Sequence, residues 1–442
     1  MQTINNYNLK ELVAEALAIA KQYGATAAEV SASIDDGFDS IVRMGEVETV
    51  EYQNDREIDV TVYFGHRKGS VCTTEIKLDS LAATIRAACD IAKFTGEDPY
   101  SGLADKALMA RNFPDLNLYH PWQLTAEQGV ELALACEAFA HKLDKRITNS
   151  DSVAVSSYES KYTYGNSHGF IGEIQSTQQE ISCILIAEQN AEMERDYSYS
   201  VARDANDLLD IKTIATEAVE RTVARLGAKK IKTCKVPVIY TPEVARGLLG
   251  HFISAISGSQ LYRKSSFLLD TLGEQIFAPH VHIYEDPLLL KGLGSTAFDS
   301  DGVATAKKDF ITDGVLKSYC LGAYSARKLK MQTTANADGV HNLTITPGKY
   351  DLNGLLKQMH KGLLITEVMG QGVNIVTGDY SRGVRGFWVE NGKIQFPVTE
   401  ITVAGNLREI FKNLIAVGSD IDYRSNIRTG SLLLNELTVS GE

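Results

Sequence analysis

The chain has 442 residues, a net charge of −12, 44% hydrophobic and 23% charged residues and only 9 prolines. That is a globular balance, which excludes wholesale disorder and Pro-rich linkers. The acidic surplus argues against binding driven by phosphate neutralisation on DNA or RNA and against adsorption to anionic membranes.

Asn8 caps a first helix, with Glu11 replying to it, and Leu9, Leu12, Val13, Ala16, Leu17 and Ala20 share one face before Gly24 stops it. Lys10, Glu11, Glu15 and Lys21 interrupt this segment, so it lacks the apolar region of a signal peptide. AEVSAS, DSIVRM, EVETVEY and REIDVTVYF then read as short strands with turns at Gly45–Glu46 and across 65–69. A second helix runs from Asp79 through Lys93. Pro99, Pro114 and Pro121 mark a boundary, so residues 1–118 form an α/β region of meander and helices. Thr125 and Gln128 pair as a capping box for a helix to about Leu143, strands follow to about Arg203, and a helix spans roughly 207–226. Lys229, Lys230, Lys232 and Lys235 form a solvated connector that closes a middle segment, 119–230.

The remainder, 231–442, begins with the strand VPVIY and a strong helix start at Thr241-Pro242-Glu243. The helix that follows, to about Ser257, is apolar all round and is expected to be buried. GLLITEVMG, GVNIVTG and GFWVENGKIQFPVTEITVAG read as strands. The expectation is an α+β protein: a small α/β N-terminal region and a large β-rich C-terminal domain around a buried helix. The longest charge-free stretch, Gly247 to Tyr262, contains Ser254, Ser257, Ser259 and Gln260 and is too short and polar to span a bilayer. The six cysteines are scattered without a C-x-x-C pair, which fits a reducing, cytoplasmic setting.

Short motifs do not supply an active site. Gly165-Asn166-Ser167-His168-Gly169 matches G-x-S-x-G, yet a strand follows where a nucleophile elbow needs a helix, so it reads as a hairpin turn. His280 and His282, near Glu285 and Asp286, read as surface histidines on a loop edge. Asp299-Ser300-Asp301-Gly302 opens like a calcium loop, but Val303 and Phe310 stand where oxygen ligands are required. Gly292-x-Gly294-x-x-Ala297 lacks the surrounding βαβ unit of a dinucleotide site.

Longer segments carry a resemblance. Arg43–Tyr52 (RMGEVETVEY), Asp144–Asn149, Tyr164–Gly169, Met193–Tyr197, Tyr262–Asp270 (YRKSSFLLD), Phe298–Val303, Tyr324–Leu329, Gly378–Gly383, Gly386–Leu407 and Arg424–Arg428 lie in the order found in the PmbA (TldE) branch of the TldD/PmbA family. The chain resembles that branch along nearly its whole length. The resemblance implies a cytoplasmic two-subunit proteolytic assembly, involved in maturing microcin precursors and degrading an antitoxin. It implies a TldD-type partner that carries zinc through H-E-x-x-x-H on a helix and a cysteine near its C-terminus.

Counted back from YRKSS, the ligand positions of that helix fall at Gly250 and Ala255, the glutamate at His251 and the late cysteine near Thr429. Glycine and alanine carry no donor atom and a threonine hydroxyl is a poor zinc ligand. This chain is therefore expected to have no catalytic or metal residue of its own, with His251 a hydrogen-bonded core histidine. The implied role is to wall a shared chamber for unfolded peptides, with Gly370, Gln371 and Gly372 as the candidate edge for strand addition. A homodimer is one form open to the isolated chain, and the sequence does not choose between it and a form that pairs with the partner alone. The other class of function left open is a non-catalytic regulatory protein acting on a partner such as DNA gyrase.

Overall fold

The computed structural model describes Ile4 and residues 7–441. In α1 (Leu9–Gln22) the Asn8 side chain accepts from the Glu11 backbone and donates to its carboxylate. Gly24 follows at φ 87°.

Strands β1 (Ala27–Arg43) and β2 (Glu46–Phe64) are each continuous where two short strands were expected. Asp35-Asp36-Gly37 looks like a break, but Gly37 sits mid-strand because a Cβ there would lie 2.3 Å from Tyr158 and 2.5 Å from the Ser157 carbonyl. The polar stretch around Asn54 lies where β2 is exposed, so polarity does not end the strand. The turn is Met44–Gly45, both at positive φ (53° and 78°), the geometry that a two-residue hairpin favours.

After β3 (Arg67–Thr73), α2 (Leu78–Phe94) packs on β2 and β3. Residues 95–125 are an irregular connector apart from one short turn of helix at Lys106–Leu108. Then come α3 (Ala126–Leu143), with both capping-box bonds formed, β4 (Ile147–Asn166), β5 (Phe170–Gln189), β6 (Glu192–Ala202) and α4 (Ile211–Ala224). The six strands make one antiparallel sheet, β3-β2-β1-β4-β5-β6, so strands on both sides of the connector share a sheet. The G-x-S-x-G match is a hairpin turn: Gly169 is at φ 88°, and Ser167 Oγ accepts from the Ala28 N–H at 3.1 Å. Helices α1 and α2 cover one core, with Val13, Ile34, Val60 and Ile85. Helices α3 and α4 cover another, with Cys136, Val153, Leu185 and Ile214.

The C-terminal region runs β7 (Cys234–Tyr240), α5 (Pro242–Ala255), α6 (Gly258–Tyr262), β8 (Ile283–Glu285), β9 (Lys308–Thr312), β10 (Val315–Leu316), α7 (Ala323–Leu329) and β11 (Leu343–Ile345). It continues with α8 (Leu352–Met359), β12 (Gly362–Met369), β13 (Asp379–Glu390), β14 (Lys393–Asn406), α9 (Leu407–Lys412), β15 (Leu414–Val417), β16 (Ile427–Arg428) and β17 (Leu432–Ser440). One sheet is β10-β9-β8-β11-β16. The other is β14-β13-β12-β7-β17-β15, and a further β14–β17 pairing closes it on itself. Both contain a parallel pair, β11–β16 and β7–β12, so they are mixed. The protein is α+β with a β-rich C-terminal region, as read from the sequence. No helix among the described residues is long and apolar enough to cross a membrane.

Two segments depart from the expectation. GVNIVTG is not a strand: β12 ends at Met369, and Asn374 closes a turn by accepting from the Val376 and Gly378 N–H groups. Helix α5 is not buried all round. Ala245, Leu248, Leu249, Phe252 and Ala255 are buried, but Gly247 is exposed and Gly250, His251 and Ser254 are partly exposed. Spacings of three and four place those four positions on one open face. The face has no charge, so the sequence reads as apolar there, yet its glycines offer no apolar surface to bury.

Where the C-terminal region meets the long sheet, two carboxylates point inward. Asp299 accepts from the backbone N–H groups of Asp301, Val303 and Ala337, and Asp301 accepts from that of Ala323 at 2.7 Å. Burial, reinforced by the Asp301 charge, pushes the Asp299 pKa up to about 7. Because this is above the unfolded value of about 3.9, the contribution is complete below that pH and lost as pH rises through about 7. Chemical denaturation at pH 5 and pH 8 is expected to show lower stability at pH 8, with Asp299→Asn flattening the difference.

Phe252 is fully buried, with its ring edge-on to Phe277 at 5.1 Å and to Phe411 at 6.1 Å. Phe252→Ala is expected to lower unfolding free energy by on the order of 3 kcal/mol. Ser254→Ala, on the open face, should change it by less than about 0.5 kcal/mol in the same denaturation assay.

Candidate functional site

The open face of α5 borders a concave region. A Cβ built at Gly247 or Gly250 meets nothing within 4 Å, so both glycines leave space beside the helix. His251 directly follows Gly250, its ring 6.1 Å from that of Tyr380 in an edge-on contact. Tyr380, on β13, receives a hydrogen bond of 3.3 Å from the hydroxyl of the fully buried Tyr240 at the end of β7. Arg382, two residues further along β13, donates from Nε to the Met369 carbonyl at 2.9 Å. Burial and then the Arg382 charge lower the His251 pKa, which holds the imidazole neutral at neutral pH. His251 makes no hydrogen bond to a described residue, so the expected hydrogen-bonded core histidine is instead a neutral ring beside an opening.

The other expected positions fall around the same helix. Ala255 is buried, and its carbonyl accepts from Ser266 Oγ at 2.6 Å. Thr429 follows β16, which packs against α5; it is buried, and its hydroxyl donates to the Gly430 carbonyl at 2.8 Å. Gly250 and Ala255 offer no donor atom, and the Thr429 hydroxyl is already engaged. These residues do not fit zinc, which needs three or four nitrogen, sulfur or carboxylate ligands. Among the described residues no group of three or more His, Cys, Asp or Glu is arranged to hold a metal ion. His282 Nε2 lies 2.9 Å from Asp309, in a surface pair.

Gly370, Gln371 and Gly372 begin the loop after β12. The Gly372 carbonyl accepts from the Ser381 N–H at 2.7 Å, and Val373 bridges to Tyr380, which carries the loop alongside the Tyr380–Arg382 stretch. A Cβ at Gly372 would lie 1.8 Å from the Ser381 carbonyl oxygen, so that contact requires glycine.

Sequence reading missed the assembly at the start of α5. Arg221 of α4 grips the Glu243 carboxylate with both terminal nitrogens, each at 2.8 Å. Arg424 adds a bond of 2.7 Å to Glu243 and one of 2.9 Å to Asp422, and its guanidinium lies 4.4 Å over the Tyr199 ring. Asp196 of β6 pairs with both Arg221 and Arg225, and Arg225 reaches Glu367 of β12. Burial opposes ionisation of Glu243, but the hydrogen bonds and charge of Arg221, joined by Arg424, outweigh it and lower its pKa. The network lines a cleft of about 1040 Å³ whose apolar wall includes Leu209, Leu364, Phe387 and Ile394. The acid in the first turn of the helix was visible in the sequence. Its partners, 22 residues before it and 181 after it, were not.

A helix with a half-open face, set between two mixed sheets and joined to a long antiparallel sheet, defines the class. Models of the PmbA/TldA metallopeptidase family match the chain in three parts: domain 1 over residues 28–92, the central domain over 119–226 and the C-terminal domain over 233–441. The chain is 46% identical to the metalloprotease PmbA of Escherichia coli O157:H7, over 98% of this chain and 96% of that one. A crystal structure described as a putative modulator of DNA gyrase, from Bacteroides thetaiotaomicron, superposes with a TM-score of 0.93 at 30% identity, covering 100% of both chains. TldE from Thermococcus kodakarensis shares the fold, with a TM-score of 0.86 at 19% identity over 97% of this chain and 100% of that one. The chain belongs to the PmbA/TldD metallopeptidase family. Within it, the chain is of the PmbA/TldE type.

The neutral state of His251 can be measured directly. Its ring protons, followed by NMR, should titrate below the ordinary imidazole value of about 6.5. Removing the nearby cation with Arg382→Gln should raise that midpoint.

Proposed function

We propose that this chain is the non-zinc subunit of a TldD/TldE-type metalloprotease that degrades or processes unfolded peptides. The observation that carries the reading is that Gly250 and Ala255 have no ligating atom and the Thr429 hydroxyl is already engaged, beside a helix with one open face, in a chain of a metallopeptidase family. Metal-assisted hydrolysis needs one polarising site per assembly, so one subunit can lose its ligands while keeping the surface that closes the chamber. The zinc and the glutamate that takes the proton from water then belong to a TldD-type partner.

On this reading residues 231–442 line the chamber, and 1–118 and 119–230 frame it. The open face of α5 with Tyr380 and Arg382, together with the Gly370–Gly372 loop, forms this chain's share of the peptide-facing wall. Arg382 supplies a cation beside a neutral imidazole, an arrangement suited to a peptide carboxylate or carbonyl. The assembly works in the cytoplasm, and the isolated chain forms a homodimer through the surface that the partner otherwise covers.

The test is reconstitution. A mixture of this chain with a zinc-bearing TldD-type chain should cleave an unfolded peptide, a chelator should abolish cleavage, and either chain alone should be much slower. Mutating the zinc-helix glutamate of the partner should stop the reaction, whereas His251→Ala should leave it within a few-fold. Chelator-insensitive hydrolysis by this chain alone, or failure of the two chains to associate at micromolar concentration, would refute the reading.

A further inference from the structure

The long sheet ends on one side in a strand that is only half covered. β3 pairs with β2 only from Ile58 to Phe64, while β1 pairs with β2 along nearly its full length. Residues 46–57 of β2 therefore have one edge hydrogen-bonded to β1 and the other unpaired. No further backbone hydrogen bond reaches them from any described residue. An unpaired edge of this length presents a row of N–H and C=O groups spaced for another strand.

One face of this edge is apolar, although the edge also carries charge. The β1–β2 register slips between Ile41 and Val42, so Val42 lies opposite Val47 while Ser40 lies opposite Val50 and Phe38 opposite Tyr52. Directly opposed residues face the same way, so the bulge brings Val47, Val50 and Tyr52 onto one face. They are 53%, 40% and 59% exposed. With Met44 at the hairpin tip, also 53% exposed, they form an apolar strip beside the free edge. Protected edges more often carry lysine, proline or inward charges.

Charge selects the occupant. Glu46, Glu48, Glu51, Asp55 and Glu57 flank the strip. Arg56 is the one cation in this stretch, and its guanidinium lies 4.8 Å over the Tyr7 ring. Arg43, just before the turn, donates from Nε to the Ser150 carbonyl at 3.2 Å and pairs with Glu48 at 3.8 Å. A second copy pairing by the same edge would set acid against acid. We propose that residues 46–57 form a docking edge for a basic, extended segment of another polypeptide, which adds a strand to the sheet, seats alternate apolar side chains on Val47, Val50 and Tyr52, and meets the acids with lysine or arginine. This inference is independent of the peptidase-subunit reading and involves no zinc partner.

The test uses the full-length chain and a fluorescein-labelled peptide of alternating lysine and valine. Anisotropy should show saturable binding at low salt, weakened about tenfold or more by Val50→Lys/Tyr52→Lys, substitutions at exposed positions that leave the far-UV circular dichroism unchanged. A peptide of the same charge interrupted by proline should fail to bind, and equal binding would overturn the proposal in favour of plain charge attraction. Equal binding of a glutamate–valine peptide would overturn the charge argument. Hydrogen exchange at residues 46–57 should slow on adding the lysine–valine peptide, and unchanged exchange there would overturn strand addition even if a variant misfolds. A concentration-dependent dimer abolished by the double substitution would assign the edge to self-pairing and contradict the proposal.

Discussion

The arrangement around α5 depends on one interaction: the Glu243 carboxylate held between Arg221 and Arg424. Glu243 is the first acid of the helix, and its two partners come from α4 and from the segment before β16. Three parts of the chain that are remote in sequence are thereby fixed to one point. Burying such charges is costly, and their mutual attraction offsets the cost only when the geometry is good and the remaining atoms are bonded. Here both carboxylate oxygens are engaged by a two-pronged guanidinium, and Arg424 is further held by Asp422, the Tyr199 carbonyl and the Tyr199 ring. Removing Glu243 would leave Asp196, at 3.3 Å, as the carboxylate partner of Arg221 and Asp422 as that of Arg424, so Glu243 is the charge that joins the two arginines.

With the start of α5 fixed, its two sides have different fates. Phe252, Leu248 and Ala255 are driven into a core with Phe277 and Phe411, which stack at 4.6 Å. The opposite side, with Gly247, Gly250 and His251, faces Tyr380 and the Arg382 charge. The helix therefore packs on one face and stays open on the other, and the positions that the resemblance aligns with metal ligands hold hydrogen, a buried methyl group and an engaged hydroxyl. Of the aligned positions, Gly250 and His251 lie on the open face, where a change does not disturb the core, whereas Ala255 packs with Leu248 and Phe252.

Much of the fold was legible because its signals are local. Asn8, the Thr125–Gln128 box, the β13–β14 hairpin and the strand after Gly169 each depend on residues within a few positions. What failed depends on contacts far along the chain or on a local turn that overrides strand-forming residues. Gly37 looked like a terminator because nothing nearby shows Tyr158 pressing on it. The loop from Gly370 to Gly378 looked like a strand because Val373, Ile375 and Val376 suit one, whereas Asn374 turns the chain back. The open face of α5 was hidden because a helix face without Asp, Glu, Lys or Arg reads as buried. The positions aligned with the family's metal ligands are assigned only through the register of longer segments, since Gly250 and Ala255 carry no signal by themselves.

The account stands on the claim that this chain contributes shape rather than metal to a shared site. The most direct measurement is the zinc content of a co-purified complex of this chain with a TldD-type partner, by native mass spectrometry and elemental analysis, repeated on the separated chains. The account predicts about one zinc per pair, all of it leaving with the partner. Two zincs per pair, or zinc retained by this chain after separation, would contradict it.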